Sequence, residues 1–359
     1  MNIARTKIPR DLLILLGIYG GFAILPAFLS GNPAMMGILI MVMIWAVVAG
    51  HWDLIMGYAG VFTFGNVAIF VIGAYASGIL TINYGISPWL GLLAGGVIAA
   101  GVGILISLPC LRLKGAYIAL LTFALHMILE PFLKGGVGKA IGTGGALGLL
   151  NIPPLSIGGY TFSSLNLVPW FYVTLGISLA SLFIIYKIIH SHWGLAFLAV
   201  RDSEPLAKSA GIDDYRYKVI VFGVTSFFTG LAGALYAHYI GVLSTRVLGL
   251  DLFLLLMVMQ VVGGMGRFPG ALLGAIIVTF ADEGLRAAGV YRLVIFGAMV
   301  VAIVVLVPQG IMGAILREKG EGRGPRAPKL KLPPMVRSTR SGKKAGRREN
   351  RLEVTYEHS

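Results

Sequence analysis

The chain has 359 residues, of which 57% are apolar and 12% charged, with 50 glycines and a formal net charge of +14. So little polar material cannot cover a water-soluble fold of this size, which excludes a soluble globular protein and points to a bilayer. Cys110 is the single cysteine, so an internal disulfide and a cysteine-based metal cluster are excluded as well.

A spanning helix needs about 20 apolar residues to cross roughly 30 Å of hydrocarbon, and its backbone N–H and C=O groups must pair within the segment. The apolar runs are therefore predicted as helices despite their Val and Ile content. They lie near 12–30, 34–52, 61–82, 88–108, 115–133, 167–190, 217–241, 251–265, 269–286 and 293–309. The predicted fold is an all-α polytopic integral membrane protein with nine to ten transmembrane helices. The two runs flanking Gly266-Arg267-Phe268-Pro269-Gly270 are short, so they read either as two tight spans or as one broken, partly re-entrant element. Met1 to Gly31 begins like a secretory signal, but no small-residue cleavage site follows and the run leads straight into another span, which predicts a retained first helix.

Orientation follows from the cations. With a cytoplasmic N-terminus, ten spans place eleven Lys and Arg inside, from Arg5, Lys7 and Arg10 to Arg267, against five outside, and the positive-inside rule selects this topology. Residues 317–359 carry thirteen Lys and Arg against five Glu, which is +8 of the total +14. This segment is predicted as a basic, disordered cytoplasmic tail that touches anionic membrane lipid. Without a folded basic face or aromatic interleaving beyond Tyr356, nucleic acid is not expected as a partner.

Catalytic and nucleotide-binding motifs are missing. Gly135-Gly136-Val137-Gly138-Lys139-Ala140 lacks the spacing and the hydroxyl residue of a phosphate loop, and Gly264-Met265-Gly266 lacks the third glycine of a dinucleotide site. No His pair has metal spacing and no Ser, His and Asp set suggests a triad, so the chain is read as a non-enzyme with no catalytic or metal-ligating residue.

Between the sixth and seventh long spans lies an 18-residue polar island, GLAFLAVRDSEPLAKSAG, at 194–211. It reads as helix, with Leu195, Leu198, Leu206 and Ala210 as a possible apolar stripe, Arg201, Asp202 and Glu204 as directional charges, and Gly211 as a stop. Two readings compete: an amphipathic helix lying on the membrane surface, and a helix seated in a groove of a separate cytoplasmic partner. A pore protein that binds no ATP itself favours the second.

The island resembles the coupling loop of ATP-binding-cassette importer permeases, and AVRDSEPLAKSAGI is similar to the version in branched-chain amino acid permeases of the LivM type. The resemblance runs from about residue 35 to 315. Gly57-Tyr58-Ala59-Gly60, Phe64-Gly65-Asn66-Val67-Ala68 and Gly73-Ala74-Tyr75 look like the family's glycine-rich third span. Further matches are Leu111-Arg112-Leu113-Lys114-Gly115-Ala116-Tyr117, Thr143-Gly144-Gly145, Leu231-Ala232-Gly233-Ala234-Leu235-Tyr236, Gly263-Gly264-Met265-Gly266 with Gly270, and Pro308-Gln309-Gly310-Ile311. The sequence departs from the family at Asn66, where His is usual, at Met127, where an acid is usual, and at Ala146-Leu147, where a polar pair is usual.

The resemblance implies a permease domain at 1–316, with its coupling loop at about 191–216, ahead of the tail. It implies a permease subunit that moves branched-chain or related amino acids by alternating access in a prokaryotic inner membrane, with both termini cytoplasmic. Its expected partners are a homologous permease or a second copy, two cytoplasmic ATP-binding subunits and an extracytoplasmic substrate-binding protein. No cofactor is expected on this chain, the ATP being used by partners. The coupling residues are Gly194, Leu198, Arg201, Asp202, Glu204, Leu206 and Gly211. Polar groups inside a bilayer usually face a bundle interior or water, which makes Asn66, His126 and Gln260 pathway candidates, with simple interhelical hydrogen bonds as the competing role. Gly263, Gly264 and Gly266 join them because Pro269 breaks the helix where carbonyls can face the pathway. Glu130, Asp251, Asp282 and Glu283 are read as solvated span ends. The alternatives are a permease of the same type for urea or another small polar solute, a secondary transporter or channel, and, last, a membrane-embedded enzyme.

Overall fold

The computed structural model describes residues 10–113, 115–163, 166–286, 289, 291, 294–295, 297–298, 301 and 310–317. The predicted tail beyond residue 317, and most of the predicted span 293–309, lie outside the described residues. In chain order the elements are α1 (Arg10–Leu29), α2 (Pro33–Asp53), α3 (Asn66–Tyr84), α4 (Pro88–Cys110), α5 (Ala116–Lys134) and the short α6 (Gly136–Ala140). A small hairpin, β1 (Ser156–Ile157) and β2 (Tyr160–Thr161), precedes α7 (Val168–Ile189), α8 (His192–Asp202), α9 (Glu204–Ser209) and α10 (Asp214–Ile240). Then come α11 (Leu250–Gly263), α12 (Gly270–Gly284) and α13 (Gly310–Arg317).

Among the described residues, seven helices, α1 to α5, α7 and α10, are long and apolar enough to cross a membrane. The chain is thus an all-α, multi-pass membrane protein. The two short runs at 251–265 and 269–286 become α11 and α12, of 14 and 15 residues. At about 1.5 Å per residue each covers only about 21–23 Å, less than the hydrocarbon core. They lie against each other, so the broken-element reading of this region fits better than two full spans.

The predicted third span near 61–82 is corrected at its start. After Asp53 the second helix continues as a π-helical turn, Leu54–Tyr58, and α3 begins only at Asn66. The backbone between them is irregular because Gly60 turns it left-handed at φ 69° and the Trp52 indole N–H holds the Thr63 carbonyl at 2.8 Å. Gly57-Tyr58-Ala59-Gly60 therefore closes the second span rather than opening the third.

Helix α2 is the centre of the bundle. Asn32 accepts from the Met35 N–H and Pro33 supplies a preset first turn, which starts it. From Met43 to Asp53 every side chain is buried, whereas α1 is buried along only 22% of its span. In lipid no hydrophobic effect draws helices together, so close backbone approach must do so. On α3, α4 and α10 this is done by glycines: an added Cβ at Gly233 would overlap the Phe70 carbonyl, and one at Gly73 would overlap Gly230. Helix α10 packs against α3 through these contacts and against α4 through Gly96, where a Cβ would meet Phe227, and Gly103, where it would overlap Ser226.

Gly233→Leu is expected to lower the yield of monodisperse protein in detergent and its thermal midpoint, with overpacking costing about 1–3 kcal/mol. Gly17→Ala on α1, where an added Cβ meets nothing within 4 Å, should leave both unchanged in the same size-exclusion and thermal-unfolding measurements.

Candidate functional site

The island folds as two helices, not one. Pro205 has no N–H to continue the ladder, so α8 stops at Asp202, and Ser203 starts α9 by accepting from the Leu206 N–H at 3.4 Å. Gly211, at φ 82°, closes α9: its N–H reaches the Lys208 carbonyl at 3.0 Å, and the Ile212 N–H reaches that of Ala207 at 3.0 Å. The stop expected at Gly211 is a left-handed helix cap.

This break splits the expected apolar stripe. Leu195 and Leu206 are 70% and 71% exposed, whereas Leu198 turns inward against the core beside buried Ala196, Phe197 and Val200. Phe197 and Trp193 both meet the Tyr217 ring, with centroids 6.0 and 5.4 Å away, which fixes α8 to the start of α10. Gly194 packs tightly, because a Cβ there would overlap the Ile189 carbonyl. Glu204 pairs within the chain with Lys218 while its side chain stays 44% exposed, and Lys218 also reaches Asp214 at 3.7 Å. Among the charges named from sequence, Asp202 remains on the outside, with its side chain 70% exposed and its partner Arg201 at 3.2 Å.

Arg201 departs furthest from expectation. Its guanidinium Nη1 donates to the Gly57 carbonyl at 2.7 Å, and its aliphatic stem lies where a Cβ on Gly60 would sit. The side chain thus grips the π-turn that ends α2. Behind that turn, the buried Asp53 carboxylate accepts from the Gly266 N–H at 2.7 Å, and Arg201 is close enough for its charge to act on the same carboxylate. The Tyr58 hydroxyl accepts from the Phe268 N–H at 2.9 Å. Gly57 and Gly266 approach so closely that a side chain on Gly57 would overlap the Gly266 backbone. Gly266 itself needs φ 70°, which suits glycine. The island, the end of α2 and the bend between α11 and α12 are therefore one joined unit.

Asn66 and Gln260 are placed as helix-to-helix ties. Asn66 donates to the Val48 carbonyl at 3.3 Å and accepts from the Thr229 hydroxyl at 3.4 Å. It also borders a cavity of ≈ 20 Å³ shared with Thr63, Thr122, Thr225 and Ser226, room for about one water. Gln260 donates to the Ala49 carbonyl at 2.5 Å, tying α11 to α2. His126 is fully buried between Phe123 and Phe253, with ring centroids 6.2 and 6.0 Å away. Gly263 faces the Gly270 carbonyl with no room for a Cβ, and Gly264, at φ 96°, lies against Gly310 of α13.

The sequence reading passed over Asp53, the charged member of the joint, although a carboxylate at the end of an apolar run is itself a signal. His126 is the one histidine among the pathway candidates, but His51 and His238 are equally buried. Both are tied locally: His51 to the Ser181 hydroxyl at 2.8 Å, and His238 to the Ser77 hydroxyl at 2.8 Å and the Pro153 carbonyl at 2.7 Å.

Arg201→Met keeps the stem over Gly60 but removes the charged donor, and should lower thermal stability in detergent by about 1.5–3 kcal/mol, the range for a charge-assisted bond. Adding Asp53→Asn should recover part of that loss. A double-mutant cycle whose two effects simply add would show that the groups are not coupled.

The profile of the family described as "Branched-chain amino acid transport system / permease component" matches residues 34–304. The chain is 27% identical over 293 residues to the high-affinity branched-chain amino acid transport system permease protein LivM of Salmonella typhimurium (strain LT2), covering 76% of this chain and 68% of the relative. It is 24% identical over 290 residues to the corresponding permease protein LivH of Escherichia coli (strain K12), covering 75% and 91%. It is 30% identical over 129 residues to the ribose import permease protein RbsC of Escherichia coli (strain K12), covering 34% and 40%. No solved structure gives a significant match. With the glycine-packed helices, the broken α11–α12 element and the joined island all inside the matched region, the chain belongs to the family of branched-chain amino acid transport system permease components.

Proposed function

We propose that this chain is the permease subunit of an ATP-binding-cassette importer that moves branched-chain or closely related amino acids across a prokaryotic inner membrane by alternating access. The observation that carries the reading is the Arg201 grip, which links the island to the end of α2 and, through Asp53, to the bend at Gly266. A push on the island is delivered directly to the helices at the centre of the bundle.

In this reading residues 1–316 are the permease domain, 317–359 are a cytoplasmic tail, and the N-terminus, the island and the tail share the cytoplasmic side. One of the two ATP-binding subunits seats on α8 and α9, where Leu195, Leu206 and Asp202 are exposed. Their closure on ATP moves the island as a lever. ATP shifts the equilibrium between transport states because the ATPases bind those states with different affinity. A homologous permease, or a second copy, completes the pathway, and an extracytoplasmic binding protein delivers the solute. The chain itself catalyses no bond change and holds no cofactor. Roles divide accordingly: Leu206 and Asp202 contact the ATPase, Arg201 and Gly211 hold the lever's shape, and Gly194 and Glu204 fix it to the bundle.

Co-expression with the partner subunits tests this. Leu206→Asp and Leu195→Asp, both on exposed positions, should reduce ATPase copurification about tenfold or more without disturbing the permease's own size-exclusion profile, as buried interface anchors do. An undiminished complex would return the island to a membrane-surface helix. In vesicles, leucine, isoleucine and valine should compete for uptake. Uptake of urea or a sugar instead would assign the alternative solute class.

A further inference from the structure

Beside the island a crevice of ≈ 180 Å³ opens between α7, α8 and α10. Ile188 of α7, Trp193 and Phe197 of α8, and Ile220 and Val224 of α10 line it, and Leu54, the first residue of the π-turn, closes it from behind. Leu54 and Phe197 are buried, whereas Ile220 is 39% exposed, so the crevice opens to the outside of the chain. Ile220 and Val224 lie about 9 and 15 Å along α10 from its start at Asp214, which carries the crevice into the apolar part of the bilayer.

The space would hold about a dozen waters, but an ordered water needs two to four polar partners, and no lining side chain carries an oxygen. Left empty, the walls would forfeit their dispersion contacts. In a bilayer the apolar body at hand is an acyl chain. A second observation gives the sign of its headgroup. Between residues 187 and 218 every carboxylate has a basic partner: Asp202 pairs with Arg201, Asp213 with Arg216, Asp214 with Lys208, and Glu204 with Lys218. Lys187, next to Ile188 in the last turn of α7, has no carboxylate within ion-pair distance among the described residues, and its ammonium lies 5.5 Å from the centroid of the Phe183 ring. A cation at the membrane boundary attracts anionic headgroups, and the amphipathic Trp193 ring suits the same depth.

We propose that this crevice binds one anionic phospholipid from the leaflet on the island's side, with an acyl chain between α7 and α10 and the phosphate on Lys187. The binding does not depend on the importer reading, since it needs only the crevice, the lysine and a bilayer. Its place gives it a consequence for the lever. Trp193 and Phe197 belong to α8, and Leu54 begins the turn that Arg201 grips, so the chain fills the space beneath the joint between the island and α2.

The test is native mass spectrometry of the full-length chain, with whatever subunits copurify, titrated in detergent with dioleoyl phosphatidylglycerol or with dioleoyl phosphatidylcholine, which has the same chains and no net charge. A first, saturable site should prefer phosphatidylglycerol about fivefold, the effect of one nearby cation. Lys187→Gln should bring that preference to about one, Lys187→Arg should keep it, and Arg112→Gln, at an exposed cation in the turn after α4, should not change it. Ile220→Trp, which fills the mouth from an exposed position, should weaken both lipids about tenfold. Ile220→Asp, which sets a charge there, gives the same reading if the tryptophan variant fails to assemble. Lipid that adds without a saturable first site, a preference that survives Lys187→Gln, an equal loss in Arg112→Gln, or undiminished binding with the mouth filled would each overturn the site.

Discussion

The hydrogen bond from the Arg201 guanidinium to the Gly57 carbonyl is the interaction on which the rest of the arrangement depends. A π-turn at a helix end leaves carbonyls without intrahelical partners, and inside a membrane such groups must be satisfied by protein. Arg201 meets one, while Asp53, the last residue before the turn, satisfies the Gly266 N–H on the far side. Each group solves a solvation problem for a different segment, so none of the three segments can move away without exposing an unpaired buried group. Rigidity at this point is a consequence of desolvation rather than of contact area.

Glycine makes the joint possible. Gly57, Gly60 and Gly266 each occupy a place where a side chain would strike a neighbour's backbone or the Arg201 stem. The same economy operates along α3, α4 and α10, where small residues bring backbones together in a solvent that offers no hydrophobic drive. Glycine richness in this chain therefore serves two ends: it allows close helix packing in the bundle, and it shapes the irregular backbone at the lever.

Helix α2 connects these features. One end carries Asp53 and the π-turn; close to it the Ala49 carbonyl accepts from the Gln260 amide; and Trp45, at mid-helix, borders a cleft shared with α10, α11 and α12. Since it is buried along most of its length, it cannot tilt independently of α10, α11 and α12. A force applied at the island thus becomes a movement of the bundle's centre, a geometry suited to a transport cycle whose energy is supplied from outside the chain.

The sequence by itself determined the solvent, the number of long helices to within the short runs, and the island as the segment of interest, because each depends on local composition: apolar length, charge placement, and turn residues such as Pro205 and Gly211. It also carried the family, through motifs whose order is preserved. Only the tertiary structure decided which way the island's side chains face. One proline divides the island, so Leu198 goes in while Leu195 and Leu206 stay out, and periodicity read across the break had joined them. It likewise gave Arg201 and Glu204 partners within the chain, the Gly57 carbonyl and Lys218, 144 and 14 positions away. It gathered Asp251, Asp282 and Glu283 at one opening. Such pairings arise from long-range packing, where a charge in lipid must find whatever partner the fold brings near, and no local pattern in the sequence records that choice.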